Sequence, residues 1–439
     1  MNTTLKTLTL AAAASMAVSA YAGDKEVLDL LVKKGVVSAE ERAAAMDKAK
    51  KASQAAGLDE IFAKEEALKR LTFSGRMQTQ YEDIAYEQTG ASNAGEASPT
   101  RTFLMRRLYL GFKADMGSGF SGEIVNNFAE NDTDKTLDKA IVTSESSLGN
   151  ITLGYQKVQW GLEENTSSSK LYTVERSMVT RYWAESENGR RIGFGARHVG
   201  LHYSDKATLS TEDTLDYGFS FVDARQGYSK TSVNDFGTYA NIALTHKFSD
   251  ANKHTIGVNW GQTFYTSAAG AITVLNDESS KISGYNPYIK SQIGAFTLQG
   301  EYVLTDIDAT SGTLASAGGV ERSPTGYNAI LAYKISDGLE AVARFSHLDT
   351  DGRGQKAGDG VRDTITTGIA TENTWDKSDS VYLGLNFYFV EHNAKLMVGY
   401  ERVKFTDRIS GYGLDGSATT SSLSEGQANA LRVQAQILF

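Results

Sequence analysis

From Phe73 to the last residue, apolar and polar side chains alternate with a period of two, and short stretches of Gly, Asn, Asp and Ser separate the alternating runs. In the run from Val381 to Phe389, every second residue is a large apolar one, while the residues between are Tyr, Gly, Asn and Tyr. Strands with one face in lipid and the other in water have this pattern, although a soluble sandwich would show it locally too. The clearest runs are Phe73–Tyr81, Leu108–Ala114, Ile151–Tyr155, Leu215–Phe221, Phe296–Leu304, Tyr327–Tyr333, Leu339–His347, Val381–Phe389 and Leu431–Phe439.

The length of the alternating region distinguishes a membrane barrel from a soluble sandwich. No linker interrupts it, whereas a soluble sandwich of this length would divide into domains. The 42 glycines, 21 tyrosines and only 3 prolines also suit many paired strands. About 23 residues per strand and connection over residues 72–439 predict an all-β fold, a transmembrane antiparallel β-barrel of about 16 strands. Side chains cannot fill a barrel of that width, so we expect a water-filled channel.

The first 22 residues have the three parts of a signal peptide. Met1 to Lys6 carries positive charge, Leu8 to Val18 is apolar, and Ala20-Tyr21-Ala22 offers small residues at the cleavage positions. The apolar run is shorter than the roughly 20 residues that a membrane-spanning helix needs. We therefore expect cleavage before Gly23 and export to the bacterial outer membrane.

Residues 23–71 are rich in Ala, Lys and Glu and poor in aromatic residues, which predicts two or three short periplasmic helices. Leu58, Ile61 and Leu68 lie near coiled-coil spacing, but Glu65 occupies the next seam position. The segment is either an amphipathic extension or a module that binds a partner. This segment suggests an alternative function for the protein: a structural anchor that ties the outer membrane to the cell wall, with the pore incidental.

Charge and residue types exclude several other functions. The formal net charge of −9 disfavours nucleic acid as a partner, and the absence of cysteine excludes disulfides and thiolate metal sites. The six histidines are scattered, and the sequence has no HExxH helix, nucleophile elbow or Walker motif. We expect no enzyme activity, metal or cofactor, with a barrel hydrolase as a further alternative.

The alternation stops after Lys157, and a long irregular segment precedes Arg190 and Arg191, which we assign to the next strand. Long loops in barrels usually have a function. This region resembles the phosphate-selective porin O/P family, which carries a comparable series in a loop folded into the barrel. The matching residues are Gly161, Leu162, Glu163, Thr166, Ser167, Ser168, Glu175 and Arg176, supported by Phe73-Ser74-Gly75-Arg76, Arg106-Arg107 and Leu148-Gly149-Asn150.

The resemblance covers the N-terminal half of the barrel at the level of residues. It implies a 16-stranded barrel, commonly a homotrimer, that conducts anions through a constriction lined by arginine and lysine. The expected partners are outer-membrane lipid and small anions or other hydrophilic solutes. The last strand ends on the aromatic Phe439, which resembles the signature read by the outer-membrane barrel assembly machinery.

In a narrow passage of low dielectric, a few fixed charges can set ion preference. Strict alternation directs Arg107, Tyr109 and Lys113 to the lumen. It leaves Arg106 on the lipid side unless that residue lies beyond the membrane or a bulge intervenes. The candidate selectivity residues are Arg106, Arg107, Lys113, Glu123, Glu163, Glu164, Lys170, Arg176 and Arg181.

Two acidic residues depart from the phosphate-selective pattern. Glu164 occupies a loop position where those family members carry a lysine, and Glu123 is expected to face the lumen on strand three. The acidic and basic residues between Lys157 and Tyr182 nearly balance, which suits a general diffusion pore with a transverse field. We therefore predict a passive porin narrowed by a loop at about residues 158–182, and the sequence leaves open its preferred solute and its ion selectivity.

Overall fold

The computed structural model describes residues 70–89, 95–129, 136–185, 191–224, 236–265, 280–308, 322–362, 374–409, 420–421 and 424–439. The predicted signal peptide and all but the last two residues of the predicted helical segment lie outside these ranges. The chain divides into two units. The described part of the first is residues 70–71 and 114–118, which include a turn with Gly117 and Ser118 at positive φ. The second, residues 72–113 and 119–439, contains the barrel wall and the candidate site.

Sixteen long strands occur in the described part of the chain: β1 Arg70–Thr89, β2 Thr100–Gly117, β3 Phe120–Asn127, β4 Leu137–Ser146, β5 Gly149–Lys157, β6 Arg197–Thr208, β7 Asp213–Asp223, β8 Phe236–Ser249, β9 Asn252–Tyr265, β10 Ser280–Ile293, β11 Phe296–Asp308, β12 Thr325–Ser336, β13 Leu339–Asp349, β14 Thr374–Val390, β15 Ala394–Ile409 and β16 Glu425–Leu438. Two-residue strands occur at Gly95–Glu96, Gln355–Lys356 and Thr420–Ser421. The short helices are α1 Leu162–Asn165, α2 Met178–Ala184 and α3 Ala357–Val361. Among the described residues, no helix has both the length and the apolar character needed to cross a bilayer.

The strands form one closed antiparallel sheet, because β1 pairs with β16 as well as with β2. The closing seam extends from Arg76 opposite Leu438 to Thr89 opposite Glu425. Closure leaves no unpaired sheet edge, which hydrocarbon would not tolerate because it offers no hydrogen-bonding groups. The prediction of an antiparallel barrel of about 16 strands is confirmed.

The two faces of the wall follow the alternation of the sequence. On β14, Val381, Leu383 and Leu385 are exposed on the outside, whereas Tyr382 and Asn386 are buried inside. Buried positions of the wall also hold glutamine, asparagine, arginine and glutamate, the reverse of a soluble core. An apolar outside and a polar inside are the faces of a barrel that meets lipid outside and water inside.

Connections at the two ends of the wall differ in length. Turns of a few residues, such as 250–251, 294–295 and 337–338, join strands at one end. The long connections are at the other end, as in outer-membrane barrels. Two of them, 158–196 and 350–373, contain the helices α1 to α3.

The C-terminal residue closes the seam against a glycine of β1. Gly75 N donates to Phe439 O at 2.7 Å, and Phe439 N donates to Gly75 O at 3.1 Å. A Cβ atom on Gly75 would lie 2.2 Å from Cζ of the Phe439 ring. The ring therefore lies where a side chain at position 75 would be. Recognition of Phe439 by the assembly machinery stays a prediction.

We expect Gly75→Val to displace the Phe439 ring and to lower the free energy of unfolding by about 1–3 kcal/mol, the usual cost of overpacking. Gly300→Val is the matched control, because the nearest atom to a Cβ there, Ile289 Cγ2, is 3.5 Å away. Urea unfolding of the refolded barrel in lipid vesicles, followed by tryptophan fluorescence, measures both. Equal unfolding free energies for the two variants would contradict this account of the seam.

Candidate channel constriction

The connection between β5 and β6, residues 158–196, is called the inserted loop here because it crosses the lumen. Lys395 Nζ on β15 donates to Leu171 O at 3.0 Å, and Arg344 Nη1 on β13 donates to Glu175 O at 2.7 Å. In a ring of sixteen strands, β13 lies eight places from β5, on the opposite wall. The inserted loop therefore spans the barrel from one side to the other.

Aromatic residues anchor both ends of the inserted loop inside the barrel. Trp160 is buried and packs edge-on against Phe194, with ring centroids 4.7 Å apart. Trp183 is also buried, and its Nε1 donates to Thr305 Oγ1 on β11 at 3.0 Å. Fixing a long loop in one conformation costs conformational entropy, and the burial of these large rings offsets that cost.

The first helix of the loop starts on a carboxylate of the wall. Gly161, at φ 81°, permits the turn into α1. The backbone N–H groups of Leu162 and Glu163 donate to the Glu301 carboxylate on β11 at 2.8 and 3.1 Å. Because the first amides of a helix have no partner within it, this carboxylate fixes where the helix begins.

Glu163 joins the two helices of the inserted loop. Its Oε2 accepts hydrogen bonds from Ser177 N at 2.9 Å, Ser177 Oγ at 2.7 Å and Thr180 Oγ1 at 2.7 Å. Arg344 of the opposite wall lies 3.4 Å from its other oxygen. This predicted selectivity residue is buried, and its contacts hold the loop together.

Glu164 forms a buried ion-pair group with two cations. Its carboxylate lies 2.6 Å from Lys157 Nζ and 3.1 Å from Arg176 Nε, and Arg176 also donates to Thr166 O at 2.8 Å. Burial alone would raise the pKa of Glu164, but Arg176 and Lys157 outweigh it and lower the pKa to about 2. Glu164 is therefore an anion at neutral pH and neutralises positive charge in the loop.

Glu175 lies at the centre of a cluster of arginines. Its carboxylate is 2.5 Å from Arg106 Nε, 3.7 Å from Arg107 Nη2 and 3.7 Å from Arg362 Nε, and it accepts a hydrogen bond from Gln80 Nε2 at 2.9 Å. Burial would raise the pKa of Glu175, yet the three arginines hold it well below its usual value. One carboxylate thus faces three guanidinium groups.

Both Arg106 and Arg107 of β2 reach this cluster. The pattern of exposed residues along β2 changes close to them. Phe103 and Met105 are exposed, and so is Leu110, which is an odd number of positions after Met105. The two-residue period of exposure is therefore interrupted between Met105 and Leu110. Arg106 thus reaches the lumenal cluster, and a bulge that would turn it inward stays a prediction.

Three other predicted residues lie elsewhere on the inner face or in the loop. Lys113 shares the face of Arg107 but lies near the turn end of β2, where it is exposed. Glu123 pairs with Lys139 of β4 at 3.2 Å. Lys170 is an exposed residue of the inserted loop. The contacts described here do not join any of the three to the Glu175 cluster.

Arg181 is buried in α2, and its nearest carboxylate is Glu185 at 3.7 Å. Arg191 pairs with the same carboxylate at 2.7 Å. The assignment of Arg191 to a strand is wrong, because β6 begins only at Arg197. Arg191 instead belongs to the inserted loop, where its charge is paired, and Arg190 lies outside the described residues.

Two features were missing from the sequence-based list. Arg344 could have been found, because alternation on β13 puts it on the face opposite Ala343 and Phe345. The second feature is the connection after β13, which also folds inward. Its residue Arg353 donates from Nη1 to Tyr182 OH of the inserted loop at 3.0 Å. The sequence of this connection has no periodic signal that would have revealed it. Within the described residues, a second connection therefore lies in the lumen beside the inserted loop.

Solved structures of outer-membrane channels have a similar fold. An anion-selective porin from Comamonas acidovorans is 14% identical, with 84% of this chain and 99% of that chain covered and a TM-score of 0.51. OmpF of Salmonella typhi, in complex with daunomycin, is 13% identical, with 85% and 99% covered and a TM-score of 0.50. The channel DcaP of Acinetobacter baumannii is 15% identical, with 84% and 97% covered and a TM-score of 0.48.

Sequence comparison is more specific about the family. Among curated proteins, none matches this sequence. The family model described as phosphate-selective porin O and P matches residues 72–437, nearly the whole alternating region. This match confirms the resemblance read from the loop motifs and the paired arginines. The chain, an outer-membrane channel by family and fold, therefore belongs to the phosphate-selective porin O and P family.

Proposed function

We propose that this porin lets small hydrophilic solutes diffuse through a constriction built on the inserted loop, and that the constriction prefers anions. The observation that carries the proposal is the excess of positive charge at Glu175, where Arg106, Arg107 and Arg362 lie within 3.7 Å of one carboxylate. A passive pore of this kind requires no cofactor or energy source.

The physical reason is that low-dielectric walls strengthen the field of a few fixed charges. Guanidinium groups raise the local concentration of anions, while the nearby carboxylate keeps each site weak enough to release them. Glu175 therefore moderates the binding of anions. Tight binding at this position would slow permeation.

A second candidate function is a general porin with little charge preference. It is favoured by Glu164, whose carboxylate neutralises both Lys157 and Arg176 at a loop position where the phosphate-selective members carry a lysine. We propose the anion-preferring pore without strict phosphate specificity. The anion selectivity of the Comamonas acidovorans porin is a property of that protein, and the present proposal depends on the arginines.

Several further proposals accompany this function. Family membership supports a homotrimer, contact with outer-membrane lipid, and export through a signal peptide cleaved after Ala22. The anchor alternative requires residues 24–70, almost all outside the described ranges, and the comparisons give it no support. The family and fold are those of non-enzymatic channels, so the hydrolase alternative also has no support from them.

Replacing the central carboxylate should strengthen anion preference. We expect Glu175→Gln to raise the ratio of chloride to potassium permeability by about threefold or more, since a unit charge at about 10 Å and an effective dielectric of about 20 contributes 1–2 kcal/mol before salt screening. The measurement is the reversal potential of refolded channels in a planar bilayer under a salt gradient. Glu212→Gln, in an exposed turn, is the control, and an unchanged ratio in Glu175→Gln would contradict the proposal.

Removing one of the arginines should act in the opposite direction. We expect Arg106→Gln to lower the chloride to potassium permeability ratio by about twofold to threefold at moderate salt. Arg101→Gln should leave it unchanged, because Arg101 is exposed and pairs with Asp83 away from the inserted loop. Added phosphate distinguishes the two functions: block of chloride current at low phosphate concentration would indicate phosphate selectivity, whereas weak selectivity without block would favour the general porin.

A further inference from the structure

The second inward connection, described for residues 350–362 and called the lumenal segment here, packs on β15 and β16 of the wall. Its helix α3 has two fully buried apolar residues, Ala357 and Val361. A Cβ atom on Gly360 would lie 2.7 Å from the Phe405 ring of β15, so the backbone of α3 lies directly on that ring. Arg432 of β16 donates to Val361 O. The lumenal segment is therefore fixed against β15 and β16.

The lumenal segment also contacts the inserted loop through ionic groups. Arg362 lies 3.7 Å from Glu175 and pairs closely with Glu185. Asp359 lies 3.7 Å from Arg191 on the same side. Oppositely charged side chains of the two loops are thus in contact, and each loop contributes both acidic and basic residues.

Among the arginines described around Glu175, Arg362 is the one that solvent reaches most. Its side chain is 30% exposed, against 12% for Arg106 and 5% for Arg107. A fixed charge acts more strongly on a passing ion the closer that ion can approach it. Of the three guanidinium groups, that of Arg362 is therefore the most accessible to an ion in the lumen.

The backbone at this position supports a specific role. Arg362 adopts the left-handed conformation, with φ 56° and ψ 54°, which glycine or asparagine adopts at lower cost. Such conformations in other residues persist only where the surroundings fix them, and they concentrate at functional sites. Here the conformation ends α3 and directs the side chain toward Glu175 and Glu185.

We propose that Arg362 is a selectivity-determining residue of this channel, and that the lumenal segment forms the second side of the constriction. The inserted loop and the β2 arginines supply one side, and Arg362 supplies the accessible positive charge on the other. The proposal deepens the proposed function and rests on it for the sign of the selectivity. The position of Arg362 beside the ion path does not depend on that sign.

The absence of cysteine from the sequence allows a direct test. Arg362→Cys, refolded and inserted in a planar bilayer, is treated with a positively charged or a negatively charged methanethiosulfonate reagent while the reversal potential is recorded. We expect the substitution to lower the chloride to potassium permeability ratio about threefold. The positive reagent should restore the ratio, and the negative reagent should lower it further.

Control variants separate charge from structure. Arg353→Cys, at a buried position, should react slowly or not at all, and Arg101→Cys, at the exposed outer end of β2, should react without changing selectivity. Arg362→Lys should keep most of the anion preference because it keeps the charge. Arg362→Gly, which suits the left-handed backbone, should lose that preference while the barrel still folds.

The outcomes distinguish this inference from the proposed function. If the unmodified channel prefers anions and every change at position 362 leaves its reversal potential constant, the role of Arg362 is overturned. If the unmodified channel has no anion preference, the proposed function fails. Even in a channel without anion preference, the charged reagents test the role of position 362. They shift the reversal potential only if this position borders the ion path.

Discussion

The whole structure depends on the lack of hydrogen-bonding groups in the hydrocarbon of a bilayer. Every backbone N–H and C=O of the wall must therefore find its partner within the sheet. The chain meets this requirement by pairing β1 with β16, whose paired residues Arg76 and Leu438 lie near opposite ends of the barrel sequence. Phe439 completes the seam against Gly75. No strand of the described wall can then be left as an open edge.

Closure with sixteen strands creates a lumen that the side chains of the wall cannot fill. In the part of the chain that the structure describes, two connections fold into it, and their backbone carbonyls need partners there just as those of the wall do. The wall supplies them from its polar face: Lys395 donates to Leu171 O, Asn386 to Tyr172 O and Gln436 to Ser169 O. The polar residues that alternation directs inward thus have a structural function, because they hold the loop that narrows the channel.

The electrostatics of the constriction follows from this burial. Charges taken out of bulk water must be paired, so acidic residues accompany the arginines. Glu163 and Glu164 are used inside the inserted loop, where they hold α1, α2 and Arg176 together. The surplus of positive charge remains at Glu175, between the wall and the lumenal segment. In the proposed function, this local surplus sets the anion preference although the whole chain has a net charge of −9.

Local pattern predicted much of this architecture. The two-residue period identified the strands and their outward faces, because side-chain direction in a strand depends only on parity along the chain. The end of the alternation after Lys157 located the inserted loop, and its motifs identified the family. These features are local in sequence, so they can be recognised without knowing which distant residues come into contact.

Tertiary structure decided what depends on residues far apart in the sequence. Arg106 contacts Glu175 although strict alternation assigns it to the lipid side, and only the folded chain shows this contact. The central role of Glu175 requires Arg362, which arrives from a connection nearly 190 positions later whose sequence has no periodic signal. By itself, then, the sequence determined the wall, its faces and the family, because these follow from the parity and order of residues. Only the folded chain determined which charges meet in the lumen, since that depends on where loops from opposite walls come to lie.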